Sequence, residues 1–238
     1  MPRFQPLFKP TLWFLPAFLL LIALGVWQVH RLHWKLGLIA EVNHHLTATP
    51  IPLARVLALP PDQAQYRRVT LTGHFLNGKE SYAFATGSEG MPGYHVMTPF
   101  VAAGGAVVMV DRGFVPKEFR NPQTRKASLL EGLHRITGIW RTPSPANLFT
   151  PAPDLRQRIW YARDIVAMAA AVHVRLVAPM VLEADATPNP GGWPKGGQTV
   201  VDFPNNHLQY AITWFALAAG LLVIYLLYHR GQGRLRFS

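Results

Sequence analysis

Residues 204–228 read PNNHLQYAITWFALAAGLLVIYLLY, and from Tyr210 to Tyr228 there is not one formal charge. A run of about 20 apolar residues crosses a hydrocarbon layer roughly 30 Å thick as a helix. Residues 11–30, TLWFLPAFLLLIALGVWQVH, have the same property. Two spans are therefore expected, with Pro16 tolerated inside the first and with Trp and Tyr near the ends as interfacial anchors. No A-x-A-like site follows the first run, which passes into WQVHRLHWK (27–35), so it reads as a retained helix rather than a cleaved signal peptide. No Arg-rich, Ser-rich transit segment precedes it, which points to a bacterial inner membrane rather than an organelle.

Charge suggests the orientation. Arg230, Arg234 and Arg236 follow the second run, while the segment before it has no Lys or Arg nearer than Lys195. The positive-inside rule then places residues 229–238 in the cytoplasm, and two crossings return residues 1–10 to the same side. The first run alone is ambiguous, with Arg3 and Lys9 before it and Arg31 and Lys35 after. The expected layout is a span at 11–30, an external, periplasmic domain at 31–209 and a span at 210–228.

The net charge of +11 raises nucleic acid as a partner, but all 12 acids lie between the two runs and no basic run forms a footprint there. Topology signals and an Arg-rich surface facing anionic lipid or an acidic partner account for it better. The chain has no cysteine, which excludes disulfides, thiolate metal sites and covalent C-x-x-C-H haem. An external domain must then hold together by core packing.

Between the runs the hydrophobic period changes. RLHWKLGLIAEVNHHL (31–46) continues the first helix, and TPIPLARVLALPP gives a short helix between prolines. YRRVTLTGHF alternates, Asn77-Gly78 is a two-residue hairpin signal, and KESYAFA reads as its partner strand. A second hairpin, GYHVMTPF with AVVMVDRGFVP, turns at AAGG. Further strands are expected at HRITGIWR, RIWYA and LVAPMVLEA, and RDIVAMAAAV reads as a helix with Asp164 near its N-cap. Residues 189–199, NPGGWPKGGQT, read as a flexible loop. The fold class is an α+β membrane protein, with two transmembrane helices flanking a mainly antiparallel β domain of barrel or sandwich type with one or two helices.

The G-x-S-x-G, P-loop, H-E-x-x-H, C-x-x-C and G-x-G-x-x-G patterns are all missing from the sequence. His207, Tyr210 and Trp214 are spaced to share a helix face at the start of the second run. Trp27, Arg31 and Trp34 do the same at the end of the first, with His30 and His33 beside them. Imidazole can ligate iron, aromatic faces can stack on a macrocycle and Arg can pair with propionates. The competing reading is an interfacial aromatic belt with His207 as a hydrated helix cap. His44 and His45 point apart on a helix, His74 and His95 fall in strands with surface or core roles, and Asp111-Arg112-Gly113 reads as a local charge pair with a backbone turn.

Six blocks carry a resemblance: LGVWQVHRLHWK (24–35), YRRVTLTGHF (66–75), GYHVMTPF (93–100), VDRGFVP (110–116), IWYARD (159–164) and NNHLQYAITWF (205–215). Together and in this order the chain resembles the surfeit-locus family of cytochrome c oxidase assembly factors. Phe114 departs from a more usual Trp, and Pro153-Asp154 from a more polar pair. The resemblance implies a non-enzymatic chaperone of respiratory-chain biogenesis that helps form the haem a centres of the oxidase. Its partners would be oxidase subunit I, the haem a biosynthesis or insertion machinery and membrane lipid, with no nucleic acid. It implies non-covalent haem a, with His207 as the ligand to the haem iron. On this reading Trp27, Tyr210 and Trp214 wall the pocket and Arg31 meets a propionate. A cofactor-free scaffold that stabilises an oxidase intermediate is the alternative, and a haem-modifying or quinone-dependent enzyme a third.

Overall fold

The computed structural model describes residues 3–87, 90–199 and 201–236. The chain forms two compact units, one of residues 1–41 with 202–238 and the other of residues 42–201.

Its elements, in chain order, are β1 (Arg3–Phe4), α1 (Phe8–Thr47), β2 (Ile51–Pro52), α2 (Leu53–Leu57), α3 (Pro61–Ala64), β3 (Arg68–Phe75), β4 (Ser81–Thr86), β5 (Pro92–Ala102), β6 (Val107–Pro116), β7 (His134–Arg141), β8 (Ile159–Trp160), α4 (Ile165–Ala171), β9 (Val181–Ala184), α5 (His207–Gly231) and β10 (Leu235–Arg236). Short 3-10 turns occupy Asn77–Lys79, Lys117–Phe119 and Pro122–Ser128.

The first unit is an antiparallel pair of long helices. At 1.5 Å per residue, the 40 residues of α1 span about 60 Å, twice a hydrocarbon core, and the helix runs unbroken past Pro16. Only 11% of the most apolar window of each helix is buried, so most of that surface faces outward, as lipid requires. These are the two membrane helices expected from the sequence.

One stripe on each helix does not face out. On α1, Thr11, Phe14, Phe18, Leu21, Gly25, Gln28, Leu32 and Lys35 are among the shielded positions; on α5 these include His207, Ala211, Trp214, Ala218, Leu221 and Tyr225. The alternation of three and four is the heptad spacing of a left-handed coiled pair. Small residues set the approach: a Cβ on Gly25 would lie 2.6 Å from the Phe215 ring, and Ala211 and Ala218 are 2% and 1% exposed. Lipid tails are as apolar as leucine, so this pair is held by close packing and interhelical polar bonds. Beyond the helix ends, β1 and β10 form a two-residue ladder.

In the second unit, β3, β7, β9, β6 and β5 are consecutive neighbours, and β5 pairs back onto β3, which closes a five-stranded barrel. The β2 strand extends one side of β3 in parallel, and β4 with β8 continues from β5. Closure demands a glycine at position 73, which meets Ala102 of β5 and His134 of β7 at once; a Cβ there would collide with the Val101 carbonyl. The interior is filled by Phe100, Trp140, Val69, Val110 and Leu182, each 1% exposed or less. Asp164 caps α4 by accepting from the Ala167 N–H at 3.0 Å.

Three local expectations change. Asn77-Gly78 is a 3-10 turn and not a hairpin: β3 and β4 leave it to pair with opposite ends of β5. The turn is a barrel corner, because the long β5 offers both strands a better partner than each other. Asp111 and Arg112 do not pair, since successive residues of β6 point to opposite faces of the sheet. Asp111 meets His95 and Arg163, and Arg112 meets Glu80. Finally, the 189–199 segment is pinned at Lys195, which exchanges two backbone hydrogen bonds with Phe114, each 2.9 Å.

Candidate functional site

His207 is the first residue of α5, and its imidazole is not spent on capping that helix. Asn206 makes no side-chain cap bond either. Instead His207 Nδ1 lies 2.7 Å from the Gln28 side-chain oxygen. An amide oxygen only accepts, so Nδ1 carries the proton and Nε2 carries the lone pair. Among the described residues Nε2 has no hydrogen-bond partner. Gln28 is 8% exposed, and its amide oxygen accepts from the imidazole as the carboxylate, backbone carbonyl or water behind a ligating histidine does, fixing tautomer and ring direction.

The five residues expected to form the site divide around this bond. His207 and Trp214 lie on the seam between the helices, both partly shielded. Trp27 and Tyr210 are each 53% exposed. Arg31 is exposed and stacks its guanidinium 4.2 Å from the centre of the Trp34 ring. Trp27 adjoins Gln28 in the chain, so its level on α1 is that of His207. No hydrogen bond or ring contact joins Trp27, Arg31 and Tyr210 to His207 among the described residues. The arrangement thus offers a directed imidazole lone pair, aromatic faces open to an occupant and a guanidinium one turn further along α1.

Gln28 is the residue that sequence reasoning missed. The signal was present as the heptad Phe14, Phe18, Leu21, Gly25, Gln28, Leu32, in which a lone amide occupies an apolar seam.

A second polar constellation lies in the barrel. His95 Nδ1 donates to both oxygens of Asp111, at 2.8 and 3.0 Å. Arg163 lies 3.4 Å from Asp111 and 2.8 Å from Glu183. Burial alone would raise the Asp111 carboxyl; the proton of His95, the charge of Arg163 and the Gly113 N–H outweigh it and hold the group below the usual carboxylate range. Gly113 can serve because its φ of +110° suits glycine. His95, Arg141, Arg163 and Glu183 line a polar cavity of about 510 Å³.

Comparison with known proteins accounts for nearly the whole chain. The model of the SURF1 family matches residues 15–219, which takes in most of α1, the whole barrel and the first half of α5. Surfeit locus protein 1 of Mus musculus is 37% identical over 227 residues, covering 87% of this chain and 72% of the relative. Surfeit locus protein 1 of Homo sapiens is 35% identical over 213 residues, 82% of this chain and 69% of the relative. A SURF1-like protein of Rickettsia bellii is 30% identical over 226 residues, 93% of this chain and 91% of the relative. With matches of this extent to an animal and a bacterial branch, the chain belongs to the SURF1 family.

Proposed function

We propose that this membrane protein is an assembly factor for the haem a-containing subunit of cytochrome c oxidase, holding haem a at the His207 end of its helix pair. The observation that carries the reading is the His207–Gln28 bond, which puts the lone pair on Nε2 and fixes its direction. When bound, the haem would supply an iron centre able to take a nitrogen ligand. His207 would hold it through Nε2. Gln28 would keep the Nδ1 proton in place, the faces of Trp27, Tyr210 and Trp214 would shield the macrocycle, and Arg31 would pair with a propionate at the water boundary. The role is to hold and hand over, without catalysis by this chain.

The bacterial relative and the two membrane helices support an inner-membrane setting, and Arg230, Arg234 and Arg236 after the second helix favour cytoplasmic termini with the central domain in the periplasm. The scaffold role, docking on oxidase subunit I or on the haem a insertion machinery, draws support from the Asn147–Thr150 turn. There Leu148 and Phe149 are 99% and 93% exposed, yet the turn is closed by the Thr150 N–H to the Asn147 carbonyl and the Phe149 N–H to the Asn147 side chain. Apolar groups held out by a built turn suit a partner surface.

The test is the absorbance of the detergent-purified full chain produced in cells that make haem a. Wild type should carry a haem spectrum, and His207→Gln should lose or shift it while still accumulating in the membrane. Wild-type haem content in the Gln variant would overturn the site; a colourless wild type that still captures subunit I would leave the scaffold role.

A further inference from the structure

On the opposite face of β6 from Asp111 lies a second buried charge network. Glu80, Arg112 and Arg125 are 2%, 2% and 5% exposed. Glu80 accepts from Arg112 Nη1 at 3.4 Å, and from Arg125 Nη1 at 3.2 Å and Nη2 at 2.5 Å. The Tyr82 hydroxyl donates to the same carboxylate at 3.1 Å, and burial pushes that phenol up to about 12, so it stays neutral. Carbonyls take further donors: Arg112 Nη2 bonds to Ser128, and Arg125 Nε to Phe119 at 2.9 Å.

These bonds explain how the 117–128 segment is held, but they leave two things over. Two guanidinium cations face one carboxylate, a surplus of one buried positive charge. Arg112 Nε is buried and has no partner among the described residues. An uncompensated buried cation is costly, and an unmade buried donor adds to that cost. Burial also pushes the Arg112 guanidinium down to about 10, with Glu80 opposing the shift and the neighbouring charge of Arg125 adding to it.

Arg112 forms part of the wall of a cavity of about 420 Å³, within the size range of small-molecule sites. Phe75, Leu130, Ile136 and Pro188 make its apolar lining, with His134 and Arg135 adding polar groups. The Phe75 ring packs 4.5 Å from the Arg112 guanidinium, which fixes the plane of the fork. Asp185 is the acid on this wall, and it is engaged by the Thr187 N–H at 3.1 Å and the Thr187 hydroxyl at 2.5 Å.

We propose that this cavity binds a carboxylate carried on a small apolar body, with the carboxylate supplying the second counter-charge that two guanidinium groups sharing Glu80 call for. One surplus charge calls for a monoanion, a planar guanidinium suits a planar carboxylate, and the lining suits an aromatic or aliphatic remainder. The site lies within the barrel unit and is independent of the His207 reading.

The test uses the full chain in detergent and equilibrium dialysis against labelled benzoate, with benzamide as the neutral isostere. Wild type should bind benzoate saturably, and benzamide at least about tenfold more weakly. Arg112→Lys keeps the charge but loses Nε and the fork, and should weaken benzoate by about tenfold or more. Leu130→Trp fills the cavity without touching the charge network and should abolish binding; it carries the test alone if the Lys variant does not accumulate. Equal affinity for benzamide, unaltered binding in Leu130→Trp, or no saturable binding up to about 10 mM benzoate each overturns the proposal.

Discussion

Helix α5 carries a histidine at each end, and the two imidazoles are used differently. At one end His229 is fully buried and both ring nitrogens are occupied. The Leu7 N–H donates to Nε2 at 3.0 Å, and Nδ1 donates to the Tyr225 carbonyl at 2.8 Å. Around it Tyr225 shares a 2.6 Å hydrogen bond with Thr11 and stacks on Phe14 with ring centres 4.0 Å apart. At the other end His207 is only partly shielded and spends one nitrogen, on Gln28. The same side chain on the same helix is thus a closed fastening in one place and a half-used group in the other. Open valence, more than burial or aromatic company, separates a candidate ligand from a structural histidine.

The comparison breaks most visibly under substitution of the two rings. His207→Gln should remove the haem spectrum and leave thermal unfolding of the membrane protein near wild type. His229→Gln should show the reverse, with an unchanged spectrum; equal loss of colour from both would erase the distinction. The next effect in size concerns Gln28. Gln28→Leu keeps the seam filled but releases the Nδ1 proton, and haem retention should fall by about 10–100-fold, the usual range for losing such a partner. Retention measured by transfer to apomyoglobin that matches wild type would show that Gln28 merely fills space.

His229→Ala leaves the Leu7 N–H without its acceptor and should cost about 1–3 kcal/mol in a denaturation midpoint, with no spectral change. Arg31→Gln should cost haem affinity only about 0–1 kcal/mol, because the guanidinium is exposed and screened. A tenfold loss there would mean that an occupant buries it.

A third imidazole gives the smallest effect, a slope in place of a step. Asp111 is held below the usual carboxylate range by His95, Arg163 and the Gly113 N–H against the opposing effect of burial. Its contribution to stability is therefore present above the unfolded value of about 3.9 and is lost as pH falls through the lower folded value. Asp111→Asn should be less stable at neutral pH, with a shallower loss below about pH 4, measured by denaturant midpoints. A parallel pair of curves would place the acid sensitivity elsewhere.

How much of this was legible in the sequence depended on the range of the interaction. The uncharged runs gave the two helices directly, because membrane insertion is a property of a contiguous segment. Asp164 as a cap and the AAGG turn between β5 and β6 were legible because their partners lie within a few residues. The Asn77-Gly78 hairpin failed for the opposite reason: turn chemistry is local, and the competing β5 strand is not. The opposite faces of Asp111 and Arg112 follow from strand alternation alone, so that difference was available in the sequence. Gln28 and His207 are 179 residues apart, and only the heptad on α1 hints that position 28 faces another helix.

That separation also sets an order of events. At about 5–20 residues per second, roughly 10–35 s pass between synthesis of residue 32 and of residue 207. Through that interval α1 waits in the membrane with the Gly25–Gln28 notch empty, while the barrel, whose ring closes on itself, can complete its own pairings. The helix pair therefore zips last, and the His207–Gln28 bond is among the final contacts the newborn chain can make.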